Sequence, residues 1–226
     1  MSSSMKDDGF SLIEISIVLI IIGLLTTFIM KAGTIIETCQ LRSLVKNVDG
    51  YRIATHLFTE KYGYLPGDYP KAREILGAYL KNGNGNRHIE GAGMDKGGEA
   101  FWFWQHLGAA GLIPHPGILT PHELPGFGHG LPKSAIGGGL TVVENPARSM
   151  PGLWILLGED NGLLNNRAVL TPHQAQQILD LYGEGDPLHG LVRIQEGVDV
   201  PPQSCIRSGR LALGYENPSC IVYFKI

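Results

Sequence analysis

Residues 9–30 read GFSLIEISIVLIIIGLLTTFIM, an apolar run interrupted by two serines, two threonines and one carboxylate, Glu14. About 20 apolar residues cross a bilayer as a helix, and residues 10–30 meet that length. An acidic side chain in lipid costs roughly 2.5–3.5 kcal/mol at a helix centre and somewhat less near an end. Glu14 therefore reads as a functional position that requires a positive partner. The residues ahead of the run, MSSSMKDDG, are polar and end in Gly9, which is the composition of a leader with a processing site.

The string Gly9-Phe10-Ser11-Leu12-Ile13-Glu14, followed by an uninterrupted apolar helix, resembles the N-terminus of type IV prepilins and of type II secretion pseudopilins. The resemblance implies that a membrane-embedded aspartyl enzyme, the prepilin peptidase, cuts after Gly9 and methylates Phe10. Glu14 would then be the fifth mature residue. The organisation implied is a leader over 1–9, a transmembrane and assembly helix over 10–30, and a pilin-like head over 31–226. Partners implied are the peptidase, copies of the chain, other pilin-like subunits and the inner membrane. The head would be periplasmic, and the assembled form a periplasmic pseudopilus or a cell-surface pilus. One departure is the leader, where Lys6 stands beside Asp7 and Asp8 although many such leaders are net basic.

Cleavage would free an α-amine on Phe10 with a reference pKa of about 7.7–8.0, in the same apolar layer as Glu14. Pairing this amine with the Glu14 carboxylate of a neighbouring subunit relieves both burial costs, whereas removing one partner leaves a buried charge uncompensated. A removable signal peptide would have a shorter apolar core and a small-residue cleavage site, which residues 28–33, FIMKAG, supply poorly. A plain signal anchor accounts for neither Glu14 nor the Gly9-Phe10 junction. Two further readings are a minor tip subunit binding a surface, DNA or cargo, and a membrane-anchored periplasmic enzyme using the helix as a tether.

With 226 residues and 43% hydrophobic content the chain supports one substantial head, and 31 glycines with 14 prolines predict that it is rich in loops. The formal charge of −3 becomes −2 once Lys6, Asp7 and Asp8 leave with the leader. No basic block stands out, so charge does not support a nucleic-acid surface.

Beyond the apolar run, Leu41, Leu44, Val48, Tyr51, Thr55, Phe58 and Tyr62 recur at three- and four-residue steps with charged residues mostly between them. This amphipathic face extends the helix to about Tyr62, where Gly63 and Pro66-Gly67-Asp68 end it. A helix over 10–62 would measure roughly 80 Å at 1.5 Å per residue. Further helices are expected over 70–80, over 99–111, and from Pro172 to about Leu181, where Thr171 and Gln174 form a capping-box pattern. Strands are expected over 140–143, 153–157, 190–194, 210–213 and 221–226. The fold class predicted is α+β and pilin-like: a long N-terminal helix packed on an antiparallel sheet in an enlarged, loop-rich head.

Tyr64–Asp68, Asn82–Asn86, the run 101–113 and Tyr182–Pro187 look similar to features of a large-headed prepilin-like group, and the aromatic run is expected to be core or subunit contact. In an oxidising compartment Cys205 and Cys220 can close a C-terminal loop, as pilins often do, leaving Cys39 outside the pair. Asn82, Asn84, Asn86 and Glu90 alternate like part of a calcium loop, but neutral amides and no closing glutamate make a weak one. Glu184 with Asp186, and Glu159 with Asp160, are read as solvated turn residues. His106, His115, His122 and His129 form no metalloprotease string, and no nucleophile elbow, phosphate loop or Cys-x-x-Cys pair is present. No cofactor, metal or catalytic residue is expected, and the protein is read as a structural part.

Overall fold

The computed structural model describes residues 11–120, 122–162 and 164–226, without the side chains of Met30 and Lys31; Gly9 and Phe10, the expected processing junction, lie outside them. The chain divides after Cys39 into two units. Helix α1, Leu12–Tyr62, enters both, as the two joined periodicities require.

In the first unit the apolar side chains of α1 are exposed, among them Leu12, Ile13, Leu19, Ile20, Phe28 and Ile29. The hydroxyls of Ser16, Thr26 and Thr27 donate to carbonyls of their own helix, to Ile13 at 2.8 Å, to Ile22 and Gly23 at 2.9 Å, and to Gly23 at 3.0 Å. Hydroxyls satisfied within the helix need no water, which suits a segment lying in hydrocarbon. By length and composition this stretch can cross a membrane.

In the second unit the remainder of α1 supplies one wall of the core. Leu41, Leu44, Val48, Thr55 and Phe58 are buried, and Tyr51 and Tyr62 pack partly buried at its margin, as the periodicity predicts. Facing them is an antiparallel sheet in the order β3 (Gly139–Glu144), β4 (Leu153–Gly158), β8 (Cys220–Lys225) and β5 (Val192–Glu196). Alternate side chains Leu140, Val142, Ile155, Leu157, Val222 and Phe224 enter the main core. The opposite face is also covered: Trp154, Leu156, Ile221 and Tyr223 form a second cluster with Met150 from the β3–β4 connection. The Trp154 indole donates to the Met150 carbonyl at 3.2 Å, and Arg193 and Lys225 lie over its ring. Burial on both faces explains why β4 reads LWILLG rather than as apolar and polar in alternation.

Helix α3, Glu99–Ala109, buries Phe101, Phe103, Trp104 and Leu107, so the aromatic run is core. Helix α4, Pro172–Tyr182, begins at the expected capping box: the Thr171 hydroxyl accepts from Gln174 N–H at 3.2 Å and the Gln174 side chain from Thr171 N–H at 2.9 Å. Two short ribbons complete the head, β1 (Gly126–Phe127) with β2 (Gly130–Leu131) and β6 (Ile206–Arg207) with β7 (Arg210–Leu211).

Three local expectations need correction. The helix over 70–80 shrinks to one turn, α2 (Ala72–Ile75), because Gly77 turns the chain and the Asn82 side chain takes up the Arg73 N–H at 2.7 Å. The strand over 190–194 starts at Val192, since Gly190 has φ +104° and a Cβ there would lie 2.5 Å from the Glu184 carboxylate. The strand over 210–213 is only Arg210–Leu211 and pairs within its own hairpin, outside the main sheet.

Candidate functional site

Glu14 sits in the first turn of α1. Its Oε2 accepts the Ser11 backbone N–H at 2.9 Å, while the Ser11 hydroxyl accepts from Ile13 N–H at 3.4 Å. Ser11-Leu12-Ile13-Glu14 is thus arranged like a capping box, with the carboxylate at the positive end of the helix dipole. A carboxylate in an apolar helix end calls for a positive partner, and the single chain already provides a neutral, weaker one in the Ser11 N–H. A carboxylate accepts about four hydrogen bonds, so the Ser11 amide does not exhaust Glu14 as the acceptor for an ammonium group. Among the described residues the polar partner of the Glu14 carboxylate is this neutral backbone N–H.

Cys205 and Cys220 are bonded to each other, and Cys39 is free and exposed. The bond ties the loop before β6 to the first residue of β8, beside which Gly197 N–H donates to Ser219 carbonyl at 2.9 Å.

The structure brings together two strings that the sequence singled out separately. Asp68, fully buried, accepts the backbone N–H groups of Gly85 at 2.6 Å, Asn86 at 3.0 Å and Arg87 at 2.8 Å. The adjacent Gly67 N–H donates to His106 Nδ1 at 2.9 Å, and His106 Nε2 lies 2.9 Å from the Lys81 carbonyl. These contacts define a neutral imidazole with its proton on Nε2. Burial lowers the His106 pKa from the ordinary 6.5 to about 4, against the smaller opposing effect of the Lys81 carbonyl. Asp68 and His106 are therefore the pins of the Tyr64–Glu90 connection.

The other titratable groups do not converge. His115 contacts Tyr79 at 3.1 Å, His129 lies 3.6 Å from Glu123, and among the described residues no group of three or more His, Cys, Asp or Glu could hold a metal. In the calcium-like segment Asn82 turns to Arg73 and Glu74, while the Asn84 and Asn86 amides donate to Glu90 at 3.3 and 3.0 Å. The side-chain oxygens of Asn84 and Asn86 accept the N–H groups of Asn86 and His88. Glu184, read as a solvated turn residue, instead accepts Leu191 N–H at 2.7 Å and Val192 N–H at 3.0 Å. It closes the outer edge of β5, where Ile194 N–H is similarly taken by the Pro187 carbonyl at 2.8 Å. No signal in the sequence distinguished this carboxylate from other acidic residues in glycine-rich turns.

No protein-family model matches the chain, and no curated protein matches it. Among solved structures it is similar to the major type IV pilin PilA1 from Clostridium difficile, at 13% identity and a TM-score of 0.38, over 84% of this chain and 95% of that one. A likeness of this extent carries no functional assignment.

Proposed function

We propose that the chain is a structural subunit of a type IV pilus or of a type II secretion pseudopilus. Prepilin peptidase removes residues 1–9 and N-methylates Phe10, leaving the subunit in the inner membrane with its head in the periplasm. Assembly with copies of itself and with other pilin-like subunits proceeds through the N-terminal helix, and the protein catalyses nothing. The observation that carries this reading is Glu14, a lone carboxylate at the start of an exposed apolar helix, four residues beyond the Phe10 that follows Gly9. A tether has no use for that charge, whereas a Phe10 amine on a neighbour is its natural counterion.

The Ser11 amide keeps Glu14 partly satisfied in the single subunit, so insertion precedes assembly without a fully unpartnered acceptor. Pairing with the amine then replaces a neutral donor by a charged one, which makes a stronger hydrogen bond. Two measurements test the proposal in cells carrying matching machinery. Mass spectrometry of the membrane form is expected to find methylated Phe10 as the first residue, and Gly9→Val to retain the leader. Glu14→Ala is expected to insert and be processed like the parent yet yield few sheared or cross-linked multimers. An intact Met1 start beside an active peptidase, or full assembly of Glu14→Ala, refutes the reading.

A further inference from the structure

The hairpin of β6 and β7 places Arg207 directly opposite Arg210. Its turn residues, Ser208 (φ +51°) and Gly209 (φ +78°), are both left-handed, the tight geometry whose twist matches a hairpin. Cys205, adjoining β6, is bonded to Cys220 of β8, so the hairpin is anchored to the sheet. Like charges facing each other across an antiparallel pair destabilise it. Both arginines are exposed, and neither guanidinium has a hydrogen bond or ion pair among the described residues. A rigid ribbon holding two uncompensated guanidinium groups side by side is arranged to receive carboxylates, which arginine grips in bidentate fashion.

Beside Arg210 lies a cleft of about 550 Å³ whose apolar lining is Pro187, Leu188, Leu211 and Leu213. Asp186 also borders it, but its carboxylate is occupied by Leu188 N–H and by His189, each at 2.8 Å. The ligand that fits is an acidic segment with an aliphatic side chain next to it. The chain itself carries one. Glu159 and Asp160 are exposed side by side after β4, the Glu159 carboxylate has no partner among the described residues, and Asp160 accepts only the Gly162 N–H at 2.6 Å. Leu164, 45% exposed, follows in the same loop.

We infer that the occupant is a second copy of this chain: Arg207 and Arg210 of one head take Glu159 and Asp160 of the next, and Leu164 enters the cleft. The two patches are different surfaces, so the contact is heterologous, the kind that propagates as an open filament when the rotation between copies does not close a ring. The inference rests on the assembly proposed above and names a contact between heads that supplements the helices.

The test uses the full chain expressed with its assembly machinery. Arg207→Glu with Arg210→Glu is expected to lower multimer yield about tenfold, Glu159→Arg with Asp160→Arg to do the same, and all four together to recover most of it. Normal yield from either reversed pair, or no recovery in the combination, overturns the contact. In parallel, Arg210→Lys in mixed isotopically light and heavy copies is treated with a zero-length carbodiimide. A bond from position 210 to residues 159–160 of the other copy is expected, and coupling only to another carboxylate or another protein overturns it; if the reversed variants do not accumulate, this cross-link decides alone. Should Glu14→Ala abolish multimers while the reversed pairs leave them intact, the assembly reading stands and the contact falls. A parent that forms no multimers removes both.

Discussion

Lowering the pH from 7 to 4 should remove the stability that His106 contributes to the head. In the folded chain its imidazole is neutral, with Nδ1 accepting from Gly67, Nε2–H donating to Lys81, and the Phe58 ring stacked 6.3 Å away between centroids. Its pKa is about 4 when folded against 6.5 ordinarily. Between these values the unfolded chain binds a proton that the folded chain refuses, so this group's contribution is fully present above pH 6.5 and is lost as pH falls toward 4. The slope is about 1.4 kcal/mol per pH unit, and the loss accumulated by pH 4 is about 3 kcal/mol. That is a large part of the roughly 5–15 kcal/mol typical of a whole domain.

Other groups titrate over the same interval: His115, exposed but partly desolvated, shifts down in the same sense, while Glu99, raised by burial, shifts in the opposite one. A variant isolates the term. His106→Asn retains an acceptor for Gly67 N–H but cannot charge; it should cost about 1–3 kcal/mol at pH 7 through the lost Lys81 contact. Its stability should then fall less steeply than the parent's between pH 6.5 and 4, by roughly one proton's worth of slope. The assay is urea unfolding of the full chain in detergent with the disulfide intact, followed by tryptophan fluorescence at a series of pH values. Parallel curves for parent and variant, or a His106 resonance titrating near 6.5, would refute the reasoning.

Glu184→Ala removes the acceptor for two backbone N–H groups at the edge of β5; hydrogen exchange at Leu191 and Val192 should accelerate, with stability falling about 1–3 kcal/mol. Unchanged protection at both amides would show that the edge is held by other means. Cys205 and Cys220 are 15 residues apart, so replacing both with serine should cost about 3 kcal/mol on the chain-entropy account. Urea midpoints of parent and variant check this under oxidising conditions, and equal midpoints would leave the bond without a stabilising role.

Elements whose signal is local were legible in advance. The burial face of α1 from Leu41 to Phe58 and the capping box of α4 follow from helical periodicity and terminal chemistry, which neighbouring residues specify, and the burial of the α3 aromatics follows from the general preference of such side chains for the interior. The strands of the main sheet were found to within a residue or two, for continuous apolar runs bounded by turn residues have few other uses. The one-turn α2 and the detached β6–β7 hairpin escaped. Propensity favours a longer helix over 70–80, but the Asn82 side chain from nine residues downstream takes the Arg73 amide. Residues 210–213 have strand character, yet the disulfide and the turn at Ser208-Gly209 commit them to a hairpin beside the sheet.

By itself the sequence determined the membrane-length helix, the place of Glu14 in its first turn and the α+β class, because apolar length and side-chain period are properties of consecutive residues. Only the tertiary structure decided what the polar residues of the head do. Asp68, His106 and Glu184 look like ordinary turn or helix residues, and their roles come from backbone N–H groups 17–19, 39 and 7–8 positions away in the chain. A buried donor or acceptor must find a partner wherever the fold brings one within reach, and that requirement leaves no mark on the spacing of neighbours.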